Sequence, residues 1–143
     1  MKKCSDVMTK NPIFGLRDVN VAVAMRLMKR RNIGSIPVIE NELTKELMGI
    51  VVKRDLALAI VVEGRDPQTM NLEDVMKRDV VTCYPEDDFQ IALDAMSKHK
   101  LRYIPVVDHE NRLLGIISQA DITMHMPTNE PEKITEMVKE ISS

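Results

Sequence analysis

The chain has 143 residues, enough to bury about 68% of its unfolded surface and so build a core without disulfide or metal staples. Hydrophobic residues make up 44% and charged residues 29%, with a net charge of −2, so no overall field favours nucleic acid or an anionic membrane. Eleven Met against two Phe, two Tyr and no Trp predict an aliphatic and thioether core. The opening Met1-Lys2-Lys3-Cys4-Ser5-Asp6 lacks the apolar run of a signal peptide, and no stretch has the length of a membrane span. Cys4 and Cys83 are too few for a disulfide framework and are not spaced as zinc ligands. A cytoplasmic protein is expected.

Taken in order, the chain is written twice. Asp6-Val7-Met8 returns as Asp74-Val75-Met76, and Asn20, Ala24, Met28 and Ile36-Pro37-Val38 return as Asp88, Ala92, Met96 and Ile104-Pro105-Val106, all 68 residues on. Beyond that point the offset is 66: Leu47-Met48-Gly49-Ile50-Val51-Val52-Lys53-Arg54-Asp55 is echoed by Leu113-Leu114-Gly115-Ile116-Ile117-Ser118-Gln119-Ala120-Asp121. The two missing residues fall in a polar loop, where a deletion is tolerated. A duplication of this kind makes the repeat the architectural unit.

In each copy a helix is expected to start at an N-cap, Asn20 or Asp88. Its apolar stripe is Val21, Ala24, Met25 and Met28, or Phe89, Ala92, Leu93 and Met96. Both helices end in basic clusters, Lys29-Arg30-Arg31 and Lys98-His99-Lys100, suited to the negative end of the helix dipole. A strand follows, Ile36 to Ile39 or Ile104 to Val107, whose proline suggests an edge or opening position. Polar loops, Glu40 to Glu46 and Asp108 to Arg112, lead to a second strand that runs straight into a second helix. That helix stops at Gly64 in the first copy and before Pro127 in the second. Lastly, Ile134, Met137, Val138 and Ile141 are spaced as the apolar face of one more helix.

These residues and their order resemble a tandem pair of CBS domains, the Bateman module, of the stand-alone prokaryotic type. The resemblance spans about residues 5 to 126 and rests on the Asp-Val-Met openings, the Ile-Pro-Val strands, and Gly-Ile-Val-Val-Lys-Arg-Asp with its partner Gly-Ile-Ile-Ser-Gln-Ala-Asp. The fold expected is α/β (α+β): two CBS repeats, each a small three-stranded sheet with two helices, packed by pseudo-two-fold symmetry, plus a C-terminal helix. The expected divisions are repeat 1 at 5–63, a linker at 64–72, repeat 2 at 73–126 and the C-terminal amphipathic helix at 128–143.

The resemblance implies a regulatory module without catalysis that binds an adenosine-containing ligand between the repeats: AMP first, with ADP, ATP or S-adenosylmethionine as alternatives. It also implies a homodimer; a conformational shift carried to a separate effector protein is expected from the apolar face of Ile134, Met137, Val138 and Ile141. In such modules an Asp in the first turn of the second helix takes the ribose hydroxyls, and a Ser or Thr three residues before it faces phosphate. Ser118 and Asp121 match that pattern, with Pro12, Ile13, Gly34, Ser35 and Ile36 as the implied base wall of the first cleft. In the second cleft Asp55 is in place but Val52 stands where the hydroxyl is expected. Lys53 and Arg54 could supply charge there, with Val81, Arg102, Tyr103 and Ile104 as the opposite wall.

Ser118 with Asp121 is also a capping box, which needs no ligand, so a ligand-free dimerisation scaffold is the alternative. A third reading, nucleic-acid binding through the two basic clusters, finds no stacking aromatics to support it. Cys4, Cys83, His99, His109 and His125 show no metal-ligand spacing and are read as scattered surface residues. No Ser/His/Asp or Cys/His arrangement is legible, and no enzymatic activity or catalytic cofactor is expected.

Overall fold

The computed structural model describes residues 2–125, and the expected C-terminal helix at 128–143 lies outside them. The chain forms two compact units: a continuous one, Ile13–Val80, and a split one that joins Met1–Pro12 to the chain from Val81 onward. The units therefore cut across the sequence repeats. The Asp-Val-Met opening of each repeat packs in the unit that holds the body of the other.

In the split unit the order is α1 (Cys4–Val7), β1 (Thr9–Lys10), α5 (Phe89–His99), β5 (Tyr103–Val107), β6 (Leu113–Ser118) and α6 (Gln119–His125), with sheet order β1-β6-β5. The continuous unit holds β2 (Gly15–Leu16), α2 (Val21–Arg31), β3 (Ser35–Ile39), β4 (Leu47–Val52), α3 (Lys53–Val61) and α4 (Leu72–Val75), with sheet order β2-β3-β4. The correspondence is close. Thr9 pairs with Ile116 in one unit as Lys77 bridges Ile50 in the other, and Gly15 pairs in parallel with Val38 as Cys83 does with Val106.

Two glycines seat the crossing segments. A Cβ on Gly115 would stand 2.6 Å from Met8 Sδ and 2.9 Å from Thr9 O, and one on Gly49 would stand 2.7 Å from both Lys77 O and Met76 Sδ. The missing side chain in the middle of β6 and β4 is the seat of the crossing segment.

Helix starts follow the sequence, with one difference. The Asn20 side chain accepts a hydrogen bond from the Ala22 N–H at 2.9 Å, but Asp88, at the same position before α5, makes no side-chain cap bond. Both helices close on a left-handed residue, Asn32 (φ 53°) and Lys100 (φ 54°). α3 ends at Val61, three residues before Gly64, whose φ of +69° is open to glycine at little cost. The two hairpin loops are shut by the same bond, Glu40 N–H to Glu46 O and Asp108 N–H to Arg112 O, so the two-residue deletion lies inside the loop, as the offset implied.

The proline expectation needs correction. Pro37 is in the middle strand of its sheet, opposite Ile50, rather than at an edge. It is tolerated because Ile50 exchanges both its backbone bonds with Lys77, and the β2 ladder begins only at Val38. No donor is required at that spot.

Each unit has its own core. Val21, Ala24, Met28, Ile36, Val51, Leu56 and Leu72 bury in the continuous unit, and Val7, Phe89, Leu93, Met96, Ile104, Ile117 and Ile122 in the split one. Among the described residues no helix is long and apolar enough to cross a membrane.

Candidate functional site

In both units a six-residue strand of apolar character runs without a loop into a helix, and a carboxylate stands in that helix's first turn. At the end of β6, Asp121 Oδ2 accepts the Ser118 N–H at 2.9 Å and the Ser118 hydroxyl at 3.1 Å, and Ser118 Oγ lies 3.5 Å from the Asp121 N–H. This is the capping box that the sequence allowed. A further donor was not foreseen: Thr9 Oγ1 donates to Asp121 Oδ1 at 3.2 Å.

In the continuous unit Val52 offers no cap and Asp55 is met instead by Lys77 Nζ, 3.3 Å from Oδ2. Thr9 and Lys77 occupy the same place, one residue after Met8 and Met76. The repeat offset could have revealed them, had the openings been assigned to the opposite sheet. The Lys77–Asp55 pair is solvent-exposed on both sides, so it orients the carboxylate more than it stabilises the fold.

The remaining residues sort by unit. Ser118, Asp121, Pro12, Val81, Arg102, Tyr103 and Ile104 belong to the split unit, and Ile13, Gly34, Ser35, Ile36, Val52, Lys53, Arg54 and Asp55 to the continuous one. Within each unit the start of one strand is brought beside the helix opening. Tyr103 pairs with Ser118 and Ile104 with Ile117; Ser35 pairs with Val52, and Lys53 N–H donates to Gly34 O at 2.9 Å. Ser35 and Ile36 are buried, Gly34 and Tyr103 half-buried, and Lys53, Arg54 and Arg102 exposed.

The cysteines are not the surface residues that the sequence suggested, whereas His99 and His109 are exposed and lie apart. Cys4 and Cys83 are buried at 0% and 3% exposure in one core cluster, and Cys4 Sγ lies 3.9 Å from Asp88 O. His109 stacks on Tyr84 and bonds Glu86, and His125 Nδ1 lies 3.1 Å from Lys2 Nζ. Among the described residues no three His, Cys, Asp or Glu side chains gather as a metal site would need.

The CBS domain family pattern matches twice, over residues 4–62 and 72–127. The chain belongs to the CBS-domain family. It is similar to the CBS domain-containing protein YhcV of Bacillus subtilis, 33% identical over 91% of this chain and 89% of that one. Among solved structures, a putative acetoin utilization protein (AcuB) from Vibrio cholerae shares 30% identity with a TM-score of 0.80, covering 95% of this chain and 98% of the other. The CBS domain pair of protein MJ0100, solved in complex with 5′-methylthioadenosine and S-adenosyl-L-methionine, shares 25% identity with a TM-score of 0.77, over 87% and 94% of the two chains. The mixed α/β architecture of two three-stranded sheets is that of CBS pairs.

Proposed function

We propose that this CBS pair is a non-catalytic regulatory module that binds adenosine-containing ligands, AMP foremost, through Asp121 and Asp55, and signals by a shift in conformation. One observation carries the reading: the same carboxylate recurs at the same helix opening in both units, held each time by the side chain of the crossing segment. A carboxylate so held can accept from two vicinal ribose hydroxyls, and charge-assisted bonds of this kind are worth about 1.5–3 kcal/mol each before desolvation. The adenosyl ligands bound by the similar MJ0100 pair agree with that class.

AMP is favoured over S-adenosylmethionine at Asp55 by charge. Lys77 Nζ lies 3.3 Å from Asp55 and exposed Lys53 and Arg54 precede it in the chain, which suits a phosphate and opposes a sulfonium. Val52 withholds the hydroxyl that Ser118 provides, so the Asp55 site depends on these cations. A homodimer is the expected assembly, and a separate effector protein the expected recipient. Ligand acts by binding one arrangement of the pair better than another, and shifts it by that difference alone.

Isothermal titration with AMP, ADP, ATP, 5′-methylthioadenosine and S-adenosylmethionine tests the reading, using the wild type, Asp121→Ala, Asp55→Ala and the double variant. The expected result is saturable binding that each single variant halves in stoichiometry and the double variant abolishes. Binding that neither variant alters would overturn the site. No binding by any compound would favour the second reading, a ligand-free dimerisation scaffold, which the Ser118–Asp121 capping box supports on its own.

A further inference from the structure

We propose that Cys4 and Cys83 are an oxidisable dithiol, which a low-molecular-weight disulfide converts to an internal disulfide fastening the N-terminal segment to the second repeat. Three geometric observations bring the sulfurs together. Both residues are free, buried and members of one core cluster. Their backbones are fixed from both sides: Cys4 N–H donates to Asp87 O at 2.8 Å and Ser5 N–H to Pro85 O at 3.0 Å, while Cys83 lies between Pro105 O and the Val107 N–H. The continuous unit repeats the juxtaposition with other residues. There Leu72 stands where Cys4 does and Gly15 where Cys83 does, and a Cβ built on Gly15 would lie 2.5 Å from Leu72 Cδ1. One unit fills this spot with a leucine against a bare backbone, and the other with two thiols.

The pair also has an order of attack. The neighbouring Cys83 thiol draws the Cys4 thiol below its ordinary range, against burial and the charges of Asp87 and Asp88, and Cys83 itself is pushed up; Cys4 Sγ also lies 3.9 Å from Asp88 O. Cys4 lies on the single N-terminal turn, beside exposed Lys2, Lys3 and Asp6, so local opening presents it first and it is the first nucleophile. Its thiolate attacks one sulfur of the oxidant RSSR, the S–S bond breaks, and RS⁻ leaves. Cys83 then gives up its proton and attacks Cys4 Sγ, the mixed disulfide breaks, and a second RS⁻ leaves and is protonated. Two protein thiols are oxidised and one RSSR is reduced to two RSH.

Access is through local opening of the N-terminal segment, since α1 is a single turn and its neighbours Lys2, Lys3 and Asp6 are exposed. Once formed, the bond would hold β1 on β6, and with it Thr9 beside Asp121. The inference stands whether or not that carboxylate binds a ligand.

The test is incubation of the native full chain with oxidised glutathione, alkylation with iodoacetamide under denaturing quench, and peptide mass mapping. The expected product is a peptide joining Cys4 to Cys83 within one chain, lighter by two hydrogens and unalkylated, with a Cys4–glutathione adduct in Cys83→Ser. The proposal is overturned if both thiols alkylate under conditions that oxidise a reference dithiol. A link that forms only in urea, or only between chains, overturns it too. The wild-type map decides the matter even if Cys83→Ser does not fold.

Discussion

Thr9 and Asp121 lie 112 positions apart in the chain, yet the threonine hydroxyl donates to the aspartate carboxylate at 3.2 Å. Oδ2 is already taken by the Ser118 N–H and hydroxyl, so Thr9 fixes the other oxygen. Thr9→Val keeps the shape and removes the donor. Because Thr9 is exposed, the variant is expected to lose no more than about 1 kcal/mol of stability, but to weaken adenosine-ligand affinity by up to about tenfold. Chemical denaturation and calorimetry on the same preparation separate the two. Unchanged affinity would make Thr9 a structural partner only.

Lys77→Met poses the same question at Asp55. The pair is exposed, so the expected change in stability is within about 1 kcal/mol. Affinity for AMP should fall more than affinity for adenosine, since only the phosphate gains from the cation. Equal losses for both compounds would remove Lys77 from any phosphate role.

Gly115→Ala and Gly49→Ala test the crossing segments. Each new methyl meets a backbone oxygen, Thr9 O at 2.9 Å or Lys77 O at 2.7 Å, as well as a methionine side chain. Overpacking of this kind typically costs about 1–3 kcal/mol. Both variants should unfold at lower denaturant, and hydrogen exchange should quicken at Lys77 and Ile50, whose amides bond across the same seam. A neutral result at Gly49 would mean the segment can move aside freely.

The helix caps separate cleanly. Asn20→Ala removes a bond to the Ala22 N–H and another to Gln68 O, and is expected to cost about 1 kcal/mol. Asp88→Ala removes no side-chain cap bond and should cost less. The urea midpoints of the two variants give the comparison directly.

The shorter hairpin carries a pH dependence. The Arg112 backbone N–H, aided by its guanidinium and the Glu110 N–H, holds the Asp108 carboxyl below its ordinary range. A depressed carboxyl contributes its stabilisation above the ordinary value and loses it as pH falls through the folded one. Amide shifts of Glu110 and Arg112 should therefore titrate on the acid side, and Asp108→Asn should abolish that titration.

Much of the fold was legible in the chain. The repeat offsets located both helix stripes, both strand pairs and the loop deletion, because burial of one helix face and hydrogen bonding of one strand edge leave periodic marks. Asp55 and Asp121 stood out for the same reason: they open helices at equivalent places in the two copies. The helix stop at Gly64 and the cap at Asp88 were read less well, since the last turn and a cap bond depend on side-chain geometry that residue type does not fix.

What the sequence determined by itself, then, is a duplicated α/β unit with a carboxylate at each helix opening, because local periodicity and capping are written in neighbouring residues. Only the tertiary structure decided which segment completes which sheet, and so that Thr9 meets Asp121, Lys77 meets Asp55 and Cys4 meets Cys83. Those contacts turn on whether an opening segment packs on its own repeat or on the other. Gly49 and Gly115 offer equivalent seats in the two sheets, so no local pattern records that choice.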